Sequence, residues 1–157
     1  MHFMKNYLKI TFVSLFMGSS LLCASEAAED RIEFNGKYYK VFEGKLSWHE
    51  AAEKCKEMGG LLASVKSEKA NDFIIKITAG ECVWLGASDE ITEGEWLWQD
   101  GTKVAFTSWA GHEPDNKHGG TEHYLVINWP SYTKGEWGDS PPKYRRQIHG
   151  FVCEWSK

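Results

Sequence analysis

Between Phe106 and Tyr124 the chain shows neither helical nor strand periodicity, yet it is dense in carboxylates and in backbone-bending residues. Trp109-Ala110-Gly111-His112-Glu113-Pro114-Asp115-Asn116 is followed by Glu122 and, further on, by Trp137-Gly138-Asp139. Loops this long inside a compact domain are usually functional or disordered, so the segment needs a source of order beyond a hydrogen-bond ladder. Acids at irregular spacing, on backbone too rich in Gly and Pro for a regular helix or strand, suit calcium, which takes roughly six to eight oxygens in flexible geometry. Glu113, Asp115, Glu122 and Asp139 are the candidate ligands, and a bound ion would order the loop.

The 157 residues suggest one domain, and a 42% hydrophobic share with eight Trp is enough to fill a core. A net charge of -4, with no basic run longer than Lys143-Tyr144-Arg145-Arg146, argues against a nucleic-acid partner. That run reads as a solvated loop. The chain opens with basic residues, continues with an apolar stretch from Ile10 to Leu22, and passes through small residues to Ala28. This is the pattern of a secretory signal peptide, too short and wrongly flanked to span a membrane. Residues 1–24 are read as that signal, with cleavage after Ala24 or as late as Ala27, and the expected location is secreted or extracytoplasmic (periplasmic or extracellular). Leu21 and Leu22 are too bulky to precede a lipidated Cys23, which argues against lipoprotein anchoring.

Export would place Cys55, Cys82 and Cys153 in an oxidising compartment, where an odd count leaves one over. Pairing Cys55 with Cys153 would close a loop of roughly 100 residues, worth about 4.7 kcal/mol in the chain-entropy model. Cys82 would then be a buried thiol or an intermolecular link.

Around the loop, the elements are legible. Ile32 to Phe42 holds two β-prone runs about Asn35-Gly36, a strong hairpin signal. Ser47-Trp48-His49-Glu50 is a capping box, and Trp48, Ala51, Ala52, Cys55 and Met58 line one helical face until Gly59-Gly60. A second helix begins at Ser67, with Ala70, Phe73, Ile74 and Ile77 on its apolar side and Gly80 at its end. Strands are expected at Cys82–Ala87, Trp96–Trp98, Tyr124–Trp129 and Gly150–Trp155.

In this order the motifs resemble a C-type lectin-like domain over residues 32–156. Trp48 with Ala51, Ala52 and Cys55, then Gly60-Leu61-Leu62-Ala63-Ser64, is similar to the family's first helix and its exit. Val83-Trp84-Leu85-Gly86 resembles a core strand, and Phe106-Thr107-Ser108-Trp109 with Glu113-Pro114-Asp115 resembles the opening of the long calcium loop. Trp137-Gly138-Asp139 resembles the Trp-Asn-Asp strand, and Phe151-Val152-Cys153-Glu154 the terminal strand. The resemblance implies an α+β double-loop fold, with two helices packed on antiparallel sheets and a long calcium-binding loop. It implies Ca2+ held by Glu113, Asp115, Glu122 and Asp139, with a cis Glu113-Pro114 bond. It also implies that a sugar completes the coordination shell, donating hydrogen bonds to these carboxylates and accepting them from amide side chains.

The departures concern donors. Glu-Pro-Asp is a hybrid of the family's mannose-type Glu-Pro-Asn and galactose-type Gln-Pro-Asp, and Gly138 stands where the family has Asn. Both changes remove an amide N–H, since an ionised Asp only accepts and Gly has no side chain. Asn116, Lys117, His118 and Asn128 are the candidate substitutes, and Gly138→Asn would be expected to strengthen sugar binding. The family's inner disulfide is missing, its positions being Tyr124 and Pro142, which makes the loop more dependent on calcium.

Other constellations are weaker. His112, His118 and His123 fit no helix-face zinc pattern and have acids for neighbours. Glu113 and Glu122 could be cast as an acid–base pair, but acids gathered about one cation stay ionised and leave no proton donor. Trp109 and Trp137 read as core rather than as sugar-stacking rings. The expected function is a secreted, non-enzymatic, calcium-dependent carbohydrate-binding protein, with homo-oligomerisation to supply avidity. The alternative is a protein-interaction module of the same fold with weak or no sugar binding.

Overall fold

The computed structural model describes residues 30–143 and 145–157. Residues 1–24, read above as a signal segment, lie with Cys23 outside the described residues, as do Tyr144 and the side chain of His118. Strands β1 (Ile32–Phe34) and β2 (Lys37–Glu43) form the expected hairpin, with positive φ at Asn35 (52°) and Gly36 (80°), as a tight two-residue turn requires. Helix α1 (Trp48–Glu57) begins on a reciprocal capping box: Glu50 N–H donates to Ser47 Oγ at 3.3 Å, and Ser47 N–H to Glu50 Oε2 at 2.7 Å. Helix α2 (Glu68–Ile77) is capped by Ser67 and stops where Ala79 and Gly80 take positive φ.

The remaining elements are β3 (Leu61–Leu62), β4 (Val83–Ser88), β5 (Leu97–Trp98), a single turn α3 (Lys117–Gly120), β6 (Tyr124–Ile127), β7 (Trp137–Ser140) and β8 (Gly150–Ser156). The strands join into one sheet in the order β1-β2-β8-β4-β6-β7, with β3 also on β8 and β5 on β4. β4 and β8 run parallel while the other pairs are antiparallel. The architecture is the expected α+β one, with its largely antiparallel pairing gathered into one mixed sheet. β3 and α3 are too short to show a period in sequence. β6 ends two residues before the expected Trp129, because Asn128 turns the chain with φ 62°.

The central strands bury both faces, which explains their unbroken apolar runs. Val83, Leu85, Leu125, Ile127 and Trp137 pack in one cluster with Ile74 of α2, and Trp84, Tyr124 and Val126 in the other with Trp48, Ala51 and Cys55 of α1. Gly86 is required where β3 crosses β4, since a Cβ there would stand 2.4 Å from the Leu62 carbonyl oxygen. Cys55 and Cys153 form a disulfide that ties α1 to β8. Cys82 is a buried free thiol, its pKa pushed up to about 12 by its burial. Among the described residues, no helix is long and apolar enough to cross a membrane.

Candidate metal and ligand site

The loop before β6 is fastened to β7 by its backbone. Trp137 N–H donates to Ser108 O at 2.7 Å and Ala110 N–H to Trp137 O at 2.9 Å, and the fully buried Trp137 ring donates to Asn71 Oδ1 at 2.8 Å. Trp109 is half-buried against Trp96 and Trp137, so both Trp rings belong to the core. Beyond this anchor the chain turns through a cis Glu113-Pro114 peptide. Asp139, on β7, accepts from Asp115 N–H at 3.2 Å (Oδ1) and from Asn116 N–H at 2.8 Å (Oδ2), so one carboxylate organises the loop that carries two of its neighbours.

The outcome is a group of carboxylate oxygens from Glu113, Asp115 and Asp139 that all lie within 4.8 Å of one another. Glu122 lies outside that triad. Its buried side chain lines the same pocket, with Arg145 Nη2 3.8 Å from Oε1, while its backbone N–H donates to Asn116 Oδ1 at 3.1 Å. Like charges at this range repel. Burial first, then Asp139 and Asp115, push the Glu113 carboxyl up to about 7, against the Tyr132 hydroxyl, which favours the ionised form. Asp115 is held below its ordinary value, chiefly by the Lys117 ammonium that contacts it.

The pocket is small, about 140 Å3, and its walls include Val126, Trp129, Tyr132, Ser140 and Arg145. Two observations fit a cation. The three carboxylates crowd together with one pushed toward its neutral form, and among the described residues Ser140 Oγ is buried at this pocket with no hydrogen-bond partner; the Lys117 ammonium offsets part of the charge at Asp115. The donors are all hard oxygens, the set calcium prefers. A neighbouring group comprises Asp89, Glu93 and His123, with His123 Nδ1 3.0 Å from Asp89 Oδ1, and Asn116 Nδ2 donates to Glu93. Among the described residues, His112 and His123 of the zinc reading do not fall together in one such group.

Several residues differ in role from the sequence reading. Asn128 is not at the pocket. It is 1% exposed, accepts from Gly135 N–H at 2.7 Å through Oδ1, and donates to Glu81 O at 3.1 Å, so it builds a loop instead of offering a donor to ligand. Arg145, read as part of a solvated basic run, borders the pocket because the segment after β7 folds back over it. Nothing in the sequence singles out Tyr132. Its hydroxyl donates to Glu113 Oε1 at 2.7 Å, and its ring covers Gly138, where a Cβ would stand 2.8 Å from Tyr132 Cε2. An Asn at 138 would therefore have to displace the Tyr132 ring before it could offer a donor.

The family model of the C-type lectin domain matches residues 44–155. The chain belongs to this family. As a C-type lectin domain it is 35% identical over 123 residues to the hepatic lectin of Gallus gallus, covering 77% of this chain and 56% of that protein. The chain thus spans just over half the length of that relative. The carbohydrate-recognition domain of cow CD23, solved in the presence of a GlcNAc2Man3 oligosaccharide, superposes with a TM-score of 0.74 at 29% identity, covering 82% of this chain and 95% of that one. A Ca2+-dependent type II antifreeze protein, in a Ca2+-free form, gives a TM-score of 0.72 at 30% identity, covering 82% and 98%. The fold is thus shared by a carbohydrate-recognition domain and an antifreeze protein.

Proposed function

We propose that residues 32–156 form an exported calcium-dependent carbohydrate-binding domain without catalytic activity, preceded by a signal peptide at 1–24. The observation that carries this reading is the convergence of Glu113, Asp115 and Asp139 on one pocket that also takes in Glu122. These are hard oxygen donors, and calcium bound there would supply a positive centre on which neighbouring sugar hydroxyls can be held. Glu113, Asp115 and Asp139 would hold the ion, with Glu122 at the rim. Asn116 fixes the backbone of Glu122, and the Arg145 guanidinium lies beside that carboxylate as a donor for ligand oxygens. The cow CD23 domain and the chicken hepatic lectin support the assignment by analogy. The Cys55–Cys153 disulfide is in keeping with an oxidising compartment. A single site of this kind binds weakly, so homo-oligomerisation is the expected source of avidity.

The test is retention on immobilised mannose, galactose and N-acetylglucosamine with calcium, followed by elution with chelator. Calcium-dependent retention on any of them supports the reading. A second reading, a protein-interaction module that keeps the ion, is favoured by the Tyr132 ring standing where an amide side chain would reach the ligand. Calcium-dependent stabilisation with no retention on any sugar would favour that second reading.

A further inference from the structure

The long connection between β6 and β7 is built to deliver one side chain. Asn128 holds Gly135 N–H and Glu81 O, and Asn71 Nδ2 donates to Gly135 O at 2.9 Å. Within the loop, Tyr132 N–H donates to Trp129 O at 2.8 Å and Thr133 N–H to Glu136 Oε2 at 2.8 Å. The Asn71 and Asn128 bonds run to α2 and to the segment before β4, so the loop is fastened to the scaffold at points outside the pocket. Its product is the Tyr132 ring laid over Gly138, hydroxyl on Glu113 Oε1.

Gly138 pairs with Val126 of β6, and Val126 and Ser140 both line the pocket, so a side chain at 138 would point into it. No such side chain can coexist with Tyr132 as placed, given the 2.8 Å approach of a Cβ to the ring. Glycine at 138 and tyrosine at 132 are thus two halves of one arrangement. The phenol O–H is committed to one oxygen of Glu113, which leaves the other to turn toward the pocket.

We infer that Tyr132 is the positioning and specificity-determining residue of this pocket: it fixes the Glu113 carboxylate from behind and offers a ligand a ring edge where an amide would otherwise donate. The inference rests on the calcium-dependent reading above. Hydrogen bonds to a ligating carboxylate of this kind typically carry about 10- to 100-fold in metal affinity. The ring also narrows the choice of ligand, since a sugar hydroxyl at this edge finds no N–H partner from position 138.

The experiment is a calcium titration, by calorimetry and by terbium luminescence, of wild type, Tyr132→Phe, Tyr132→Ala, Gly138→Asn and the Gly138→Asn/Tyr132→Ala double variant, with each melting temperature recorded in chelator as a check of folding. Tyr132→Phe keeps the ring and should lose about 10- to 100-fold in calcium affinity while melting close to wild type in chelator. Gly138→Asn should weaken calcium binding when Tyr132 is present but strengthen it in the Tyr132→Ala background, where the amide has room to donate to Glu113. A merely structural tyrosine would not give the Tyr132→Phe loss, since that variant keeps the ring and removes only the hydroxyl bond to Glu113. Calcium affinity of Tyr132→Phe within about twofold of wild type, or Gly138→Asn harmful in both backgrounds, overturns the inference and leaves the calcium-dependent reading standing. A wild-type protein that binds no calcium overturns both.

Discussion

Asp139→Asn separates the two roles that the structure gives to one carboxylate. In chelator, the substitution retains an oxygen for Asn116 N–H at 2.8 Å but loses the longer bond from Asp115 N–H at 3.2 Å. Losing a charge-assisted bond costs about 1.5 kcal/mol. It also removes a negative charge whose oxygens lie within 4.8 Å of those of Glu113 and Asp115. At an effective dielectric of about 20 a full repulsion at this range is worth at least about 3.5 kcal/mol, but Glu113, held at about 7, is only partly ionised and solvent screens the remainder, which lowers the two repulsions together to about 1–2 kcal/mol. The two changes nearly cancel, so the calcium-free variant should melt within a few degrees of wild type. With calcium at about 100 times its dissociation constant, wild type gains about 2.7 kcal/mol by mass action, or roughly 5–10 °C for a domain of this size. The variant should lose that gain. The assay is differential scanning calorimetry in chelator, magnesium and calcium. An undiminished calcium shift in Asp139→Asn would refute its role as a ligand. A variant that melts more than about 10 °C low in chelator would show that the backbone bonds outweigh the relieved repulsion.

Asn128→Ala should cost about 2–4 kcal/mol in urea unfolding at unchanged m-value, since it strands the buried Gly135 N–H, removes the part-buried bond to Glu81 O and places alanine at φ 62°. Cys82 should resist a thiol-specific disulfide reagent in the native protein and react fully in denaturant, because burial keeps its thiolate out of reach; rapid native reaction would contradict the packing. For Asp100, partial burial pushes upward but the Lys66 ammonium and Thr102 prevail and hold the carboxyl near about 2 in the folded state. A depressed folded value means the contribution is present above the unfolded value of about 3.9 and is lost as pH falls toward about 2. The pair is mostly exposed, so acid unfolding of wild type and Lys66→Met should differ by less than about 1 kcal/mol, and only above that window's lower end.

The scaffold was legible because its signals are local. Ser47 and Glu50 announce α1 within four residues, and Asn35-Gly36 fixes a hairpin by backbone preference alone. The acids were legible by residue type and Gly/Pro context, which is why Glu113, Asp115 and Asp139 could be grouped before any coordinates. What sequence could not reveal depends on contacts distant along the chain. Asn128 looks like a polar strand-end residue near the site, yet its bonds reach 47 residues back to Glu81. Tyr132 sits in a turn-rich stretch where tyrosine carries no positional signal, and only the fastening of its loop to Asn71 and Glu81 brings it to Gly138. The sequence clue was the glycine, read there as something lost, when it is space taken by another residue.

The strand order has a consequence for how such a domain can be mounted. β1 lies on one edge of the sheet and β7 on the other, and at the first edge Lys157 pairs with Glu33 at 2.8 Å. With strands about 4.8 Å apart, five steps separate the edges by roughly 24 Å. The described chain starts at β1 on the edge away from β7 and ends on β8, the third strand, where the Lys157–Glu33 pair brings its last residue beside β1. A tether, a fusion partner or a surface linkage at either end would thus be joined at least three strands away from β7 and its acids, clear of the pocket.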